Sequence, residues 1–390
     1  MFNFLFLFMS NLYIYNLFNS FIKIKRYIYI LGVRRTFIKI LGRKRYNFSA
    51  KYFINPFCLP KQKKVIGIIG CGQFAYSTIC FFLFKNRFNS LKFVFDQDTT
   101  ASLSLAKAYG AKSITSHTDL IKFCDVIYIA SNHHTHTEYA IKALNMSKTV
   151  FCEKPISVNF HQLKLLHEAV IKTNGKFFVG YNRPHSHFIL HITSNYRNLL
   201  SSNPISLDCF LIGHKIPPNH WYRNPNEGTR VCGNLGHWID LFIHLLSFRS
   251  KFPDIFKLSL ISSDSSNADD NCILIISTSD NDLFSVHISS REEPFEGINE
   301  TINLQCSTLH SKIDDFRKCV IRNGSKLTKL KNWPKDVGHE NSILQPFIDT
   351  HRNIFELFLS SYLTISFAKL VENSEIFCEI DLKSVEKFFE

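Results

Sequence analysis

The sequence predicts two successive folds: an α/β domain with a doubly wound parallel sheet, then an α+β domain with a large, open, mostly antiparallel sheet. Three observations carry this. An apolar strand at 65–69 runs through a glycine-spaced turn into a helix, helices and strands then alternate to residue 184, and short strands broken by polar turns fill 255–310. A chain of 390 residues is long enough for two cores. Its 45% hydrophobic and 20% charged residues are those of a globular protein. The expected divisions are 1–62, a basic and aromatic N-terminal extension, then 63–184 and 185–390.

The extension comes first. The formal charge is +14, but residues 1–64 hold thirteen Lys or Arg and no Asp or Glu, which leaves +1 for the rest. A nearly neutral body without a basic, aromatic-lined stripe excludes nucleic acid as the expected partner. Residues 1–22 are apolar, but six Asn or Ser interrupt them, whereas a membrane span needs about 18–20 nearly unbroken apolar residues. The cations follow this run, the reverse of a secretory signal. Membrane association through residues 1–45 therefore stays open without being favoured, and a loose extension or the remnant of an upstream domain, on a cytoplasmic protein, is expected. Eleven cysteines lie singly, with no CxxC pair, as reduced thiols do, and no metal site is expected.

From Lys63 the segment KKVIGIIGCGQFA gives an apolar strand, the turn Gly70-Cys71-Gly72-Gln73-Phe74-Ala75, and a helix from Tyr76 to Phe84. Gly70 permits the tight turn, Gly72 lets a pyrophosphate approach the backbone, and Ala75 allows close packing of helix on strand. The helix start at Gln73 and Phe74 then faces the phosphates. A second strand, LKFVFD, ends at Asp96, where a carboxylate can accept the ribose hydroxyls. This acid, without an adjacent Arg in sequence, favours NAD over NADP. Helix 101–111, strand 125–131, helix 135–146 and strand 148–155 follow. Ligands bind at the carboxyl ends of such strands, which here carry Ser131 with Asn132, and Glu153 with Lys154.

Past Pro184, Trp221, Tyr222 and Arg223 fall in a loop, a glycine turn follows, and an apolar helix runs from about Leu235 to Leu246 with His237 and Asp240 on it. FKLSLIS, CILIIST, LFSVHIS and INLQC alternate as antiparallel strands do.

The turn GxGxxA, IASNHHTH after the fourth strand, EKPIS after the fifth and VGYNRPHS after the next occur in that order. Together they resemble the Gfo/Idh/MocA oxidoreductases, which join a Rossmann domain to a C-terminal α/β domain. GYNRPHS, DDFR at 314–317 and KDVGHENSILQPFID at 335–349 resemble the branch often fused behind an alcohol-dehydrogenase-like domain. The resemblance implies an NAD-dependent dehydrogenase acting on a secondary hydroxyl of a sugar, sugar derivative or nucleotide sugar. It also implies a homo-oligomer paired through the open sheet. Lys154 is expected to steady the substrate oxygen, His237 to take its proton, and Asp240 to orient the imidazole. Asn132 and His136 match the loop along the cofactor, while His133 and His134 are expected to face solvent. Arg183, Arg223, Trp221 and Tyr222 are expected substrate contacts. Many relatives carry an acid three or four residues before the histidine; here those positions are Asn234 and Gly233. A second expectation follows, a catalytically weakened dinucleotide-binding sensor or scaffold.

Overall fold

A computed structural model describes residues 20–46, 48–56, 60–264, 267–291, 297–348 and 351–390. Its first sheet holds six parallel strands: β1 Ile66–Ile69, β2 Leu91–Phe95, β3 Lys112–Ser113, β4 Val126–Ile129, β5 Thr149–Cys152 and β6 Phe177–Val179. Their order is β3-β2-β1-β4-β5-β6. The chain thus winds outward from β1 in one direction and from β4 in the other, which opens a crevice between the carboxyl ends of these two strands. Alternation along the strands feeds two cores. Ile66, Ile68, Val126 and Tyr128 meet the helix after the glycine turn, while Ile69, Ile127 and Ile129 join the core shared with the second domain.

The N-terminal residues correct the expectation of a loose extension. Helices Val33–Lys44 and Ala50–Ile54 bury Ile38, Leu41, Ala50 and Ile54 in the first of these cores. Arg35 Nη2 donates to Thr78 Oγ1 at 3.0 Å, and its guanidinium lies 4.9 Å from the Phe82 ring centre. Further back, Lys335 N donates to the Ile30 carbonyl at 2.9 Å. Ile38 and Leu41, three residues apart on one helix face, cover apolar surface of the helix over 75–85 that water would otherwise wet. Most of the apolar run behind the membrane reading, residues 1–19, lies outside the described residues.

The second sheet has nine strands: β7 Ser206–Gly213, β8 Ile255–Ser262, β9 Cys272–Thr278, β10 Leu283–Ser289, β11 Ile298–Cys306, β12 Leu309–Asp314, β13 Lys318–Asn323, β14 Lys326–Lys331 and β15 Phe377–Asp381. They run in the order β14-β13-β12-β11-β7-β10-β9-β8-β15. Only the β7–β10 pair is parallel. Every second residue of β7 is buried, the signature of a sheet with one covered face. Helices Gly236–Leu246 and Ile354–Asn373 share the core on that face. The latter is long and apolar enough to cross a membrane, but 72% of its apolar window is buried inside the protein. After β14 the chain returns to the first sheet, where Tyr128 Oη donates to the Ile343 carbonyl at 2.7 Å and Phe347 stacks on Phe88 at 4.6 Å.

Candidate active site

A cavity of about 540 Å³ lies at the carboxyl ends of the first sheet, closed on its far side by the second domain. Its inner end is the glycine turn. Gly70 has φ +91°, and a Cβ there would stand 2.4 Å from the Ala130 carbonyl carbon, so only glycine fits. A Cβ on Gly72 would meet nothing within 4 Å, which leaves open the backbone a pyrophosphate must approach. Ala75 is fully buried at the helix start. The Gln73 side chain turns away to the Lys39 carbonyl at 2.9 Å, so any role it has toward phosphate belongs to its amide. Asp96 accepts from Cys71 N at 2.6 Å and from Asp98 N at 2.9 Å, which fixes its carboxylate beside the turn. Sequence spacing did not foresee Arg45, whose Nη2 donates to the Cys71 carbonyl at 3.1 Å. Open glycine backbone, a helix start and a fixed carboxylate fit a dinucleotide.

The middle of the cavity is a loop braced from both sides. Ser131 Oγ pairs with Thr135 Oγ1 at 2.7 Å. His136 is buried, with Nδ1 2.7 Å from the Pro155 carbonyl and Nε2 3.0 Å from the Ser131 carbonyl, so it ties two strand ends together. Asn132 Nδ2 donates to Glu227 Oε1 at 3.1 Å, and His134 Nδ1 lies 2.7 Å from the same oxygen. Glu227 is almost wholly buried and belongs to the second domain; nothing in PNEG marked it. The expectation that His133 faces solvent is corrected. Its ring is buried against Trp221 at 4.6 Å, with Nδ1 3.1 Å from the Glu227 carbonyl.

Lys154 and His237 line the same cavity. Lys154 Nζ donates to the Gly233 carbonyl at 2.5 Å. Burial pulls its proton affinity down, and burial pushes that of the neighbouring Glu153 up. His237 sits with Nδ1 buried and without a hydrogen-bond partner. Burial, with Arg183, Lys154 and His339 near, holds its pKa well below the usual imidazole value, so the ring is neutral at neutral pH.

Asp240 does not orient this ring. Both its oxygens accept from Arg352 at 2.9 Å, because a fully buried carboxylate is satisfied best by a two-point guanidinium. Arg183 is likewise spent inside the fold: it grips Glu300 at 2.9 and 3.1 Å and lies 3.9 Å over the Trp238 ring. Arg223 binds Asp269 at 3.3 Å and Asp270 at 2.6 Å. Neither arginine lines the cavity, whereas Trp221 and Tyr222 do. Tyr222 fills the space a side chain at Gly233 would need, its Cε2 standing 2.6 Å from where a Cβ would lie, and its hydroxyl donates to the Gly233 carbonyl at 3.4 Å. Asn234 is half-buried beside the cavity and is not among its lining residues. A further histidine, His339, lines the cavity; its only sequence signal was its place in KDVGHENS.

Residues 64–181 match the family model GFO_IDH_MocA, described as the oxidoreductase family with NAD-binding Rossmann fold. The chain is 32% identical over 142 residues to "Oxidoreductase P35" of Formosa agariphila, covering 36% of this chain and 43% of that protein. It is 26% identical over 186 residues to "Glucose-6-phosphate 3-dehydrogenase" of Bacillus subtilis, covering 47% and 52%. The matched stretch thus spans about half the length of these relatives. Among solved structures, a dehydrogenase from Clostridium difficile superposes with a TM-score of 0.64 at 19% identity, covering 79% of this chain and 99% of that one. "Levoglucosan dehydrogenase, complex with NADH" superposes with a TM-score of 0.66 at 14% identity, covering 82% and 99%. Residues 64–181 are thus similar to the NAD-binding Rossmann domain of the Gfo/Idh/MocA oxidoreductases, and the chain as a whole shares the two-domain fold of these solved structures.

Proposed function

We propose that the protein is an NAD-dependent dehydrogenase that oxidises a secondary hydroxyl of a sugar or sugar derivative, nucleotide sugars included. The observation that carries this is one cavity lined by the glycine turn, Lys154 and His237. Bound nicotinamide supplies the hydride acceptor. The ammonium of Lys154 steadies the substrate oxygen as it loses its proton, which a buried cation does far better than an exposed one. The neutral imidazole of His237, which lines the cavity, takes that proton. Tyr222 and Trp221 offer a ring face to a sugar. Asp96 at the ribose end supports NAD over NADP, since a 2′-phosphate would meet its carboxylate. Relatives named for inositol and for glucose 6-phosphate support a polyhydroxylated substrate. The exposed row Phe210, Ile212 and Val320 on the outer sheet face supports pairing of copies there, and the free cysteines fit a reducing cytoplasm.

The test incubates the full chain with NAD and a panel of myo-inositol, D-glucose, glucose 6-phosphate and nucleotide sugars while nicotinamide absorbance is followed. Stereospecific reduction with one member is expected. A second reading, a dinucleotide-binding sensor without turnover, is favoured by one observation: Lys154 faces a carbonyl at Gly233 rather than a carboxylate. Clear NADH binding with silence across the panel would establish it.

A further inference from the structure

The segment 335–348 is built into the site at several points that hydride transfer leaves unused. Asn182 Nδ2 donates to the Val337 carbonyl at 2.6 Å, His187 N to Asp336 Oδ2 at 3.0 Å and Asn341 Nδ2 to the His185 carbonyl at 3.0 Å. Gln345 Nε2 reaches the Val179 carbonyl at 3.1 Å. At Gly338, φ is +90° and a Cβ would stand 2.0 Å from the Asn182 carbonyl oxygen, so no other residue can make that turn. Two motifs far apart in sequence, GYNRPHS and KDVGHENS, are thereby locked together. From the second of them, one side chain lines the cavity, His339.

The His339 ring sits edge-on to Phe74 at 5.6 Å, next to the glycine turn. Its nitrogens have no hydrogen-bond partner among the described residues, and part of the side chain stays accessible. Burial and the nearby cations Arg35, Arg183, Lys335 and Lys154 keep the ring neutral. Those cations do not call for an anionic ligand, because acids offset them. Arg183 is paired with Glu300 and Lys335 with Asp315 at 2.5 Å, Glu340 and Asp336 lie near Arg35, and Lys154 donates to the Gly233 carbonyl. A neutral imidazole in a charge-balanced wall presents one donor and one acceptor, the complement of a hydroxyl group.

We propose that His339 holds a second hydroxyl of the substrate, one that is not oxidised, and thereby decides which position of a polyol reaches Lys154 and His237. This rests on the dehydrogenase reading above. The test compares the wild type with His339→Phe, which keeps a ring against Phe74, and with His339→Gln, which keeps hydrogen bonding. Each is assayed with myo-inositol, D-glucose and glucose 6-phosphate and with monodeoxy analogues of each, beside NADH binding by fluorescence.

In the wild type, removing one particular hydroxyl remote from the oxidised carbon should lower kcat/KM at least tenfold. That penalty should vanish in His339→Phe and persist in part in His339→Gln, with NADH affinity within about threefold of wild type. A penalty equal in all three proteins would overturn the inference while leaving the dehydrogenase reading intact. Weakened NADH binding with an unchanged penalty would also overturn it, because His339 would then serve the cofactor. A wild type silent on every compound would remove the dehydrogenase reading and this inference together.

Discussion

Replacing Glu227 with alanine should loosen the closure of the cavity without touching the reacting groups. Its carboxylate accepts from Asn132 Nδ2, from the His134 ring and from His134 N at 3.3 Å, so one buried acid of the second domain latches the loop over 131–136 that lines the cavity. A hydrogen bond to a charged group is worth roughly 1.5–3 kcal/mol. The His134 side chain is 43% exposed, so water replaces that bond at little cost. Asn132 is exposed as well, so the loss concentrates on the His134 backbone N–H, and a net penalty of about 1.5–3 kcal/mol, that of one hydrogen bond to a charged group, is expected. Expressed as latch opening, that is roughly a 10- to 150-fold change. Stopped-flow release of NADH, followed by its fluorescence, should quicken at least tenfold. Glu227→Gln should fall between, since an amide accepts from one donor but turns its own N–H toward the other. Release and affinity within twofold of wild type, in a variant with normal circular dichroism and melting, would refute the latch.

Four further outcomes follow from the same geometry. Because His237 is held neutral well below pH 6.5, the oxidation rate should not lose an acid limb between pH 7.5 and 6, where an ordinary imidazole would forfeit about three-quarters of its neutral form. Lys154 must stay charged and burial lowers its pKa, so the rate should fall as pH rises through a value below the ordinary lysine range. Ile38→Ala should cost about 2–5 kcal/mol in urea unfolding, as expected for a fully buried side chain, whereas a loose extension would give almost nothing. Asp96→Asn should move coenzyme preference toward NADPH, with Arg45 close by to meet the added phosphate; an unchanged NADH-to-NADPH ratio of kcat/KM would show that neither group reads the ribose.

What the sequence determined by itself was local. Strand and helix periods, the φ demanded of Gly70, the carboxyl-end placement of Lys154 and the helix carrying His237 all depend on near neighbours, and each was legible in a window of a dozen residues. Only the tertiary structure decided which polar groups are free. Arg183, Arg223 and Asp240 read as ligands or orienting groups in sequence, yet each is consumed by a partner brought in from afar: Glu300, Asp269 with Asp270, and Arg352. The same holds for what was missed. Glu227, His339 and the docking of Ile38 gave no periodic signal, because their contacts join segments scores to hundreds of residues apart. A buried charge must find its counterpart wherever folding places it, and the choice of that counterpart is written in the packed structure rather than in any one stretch of chain.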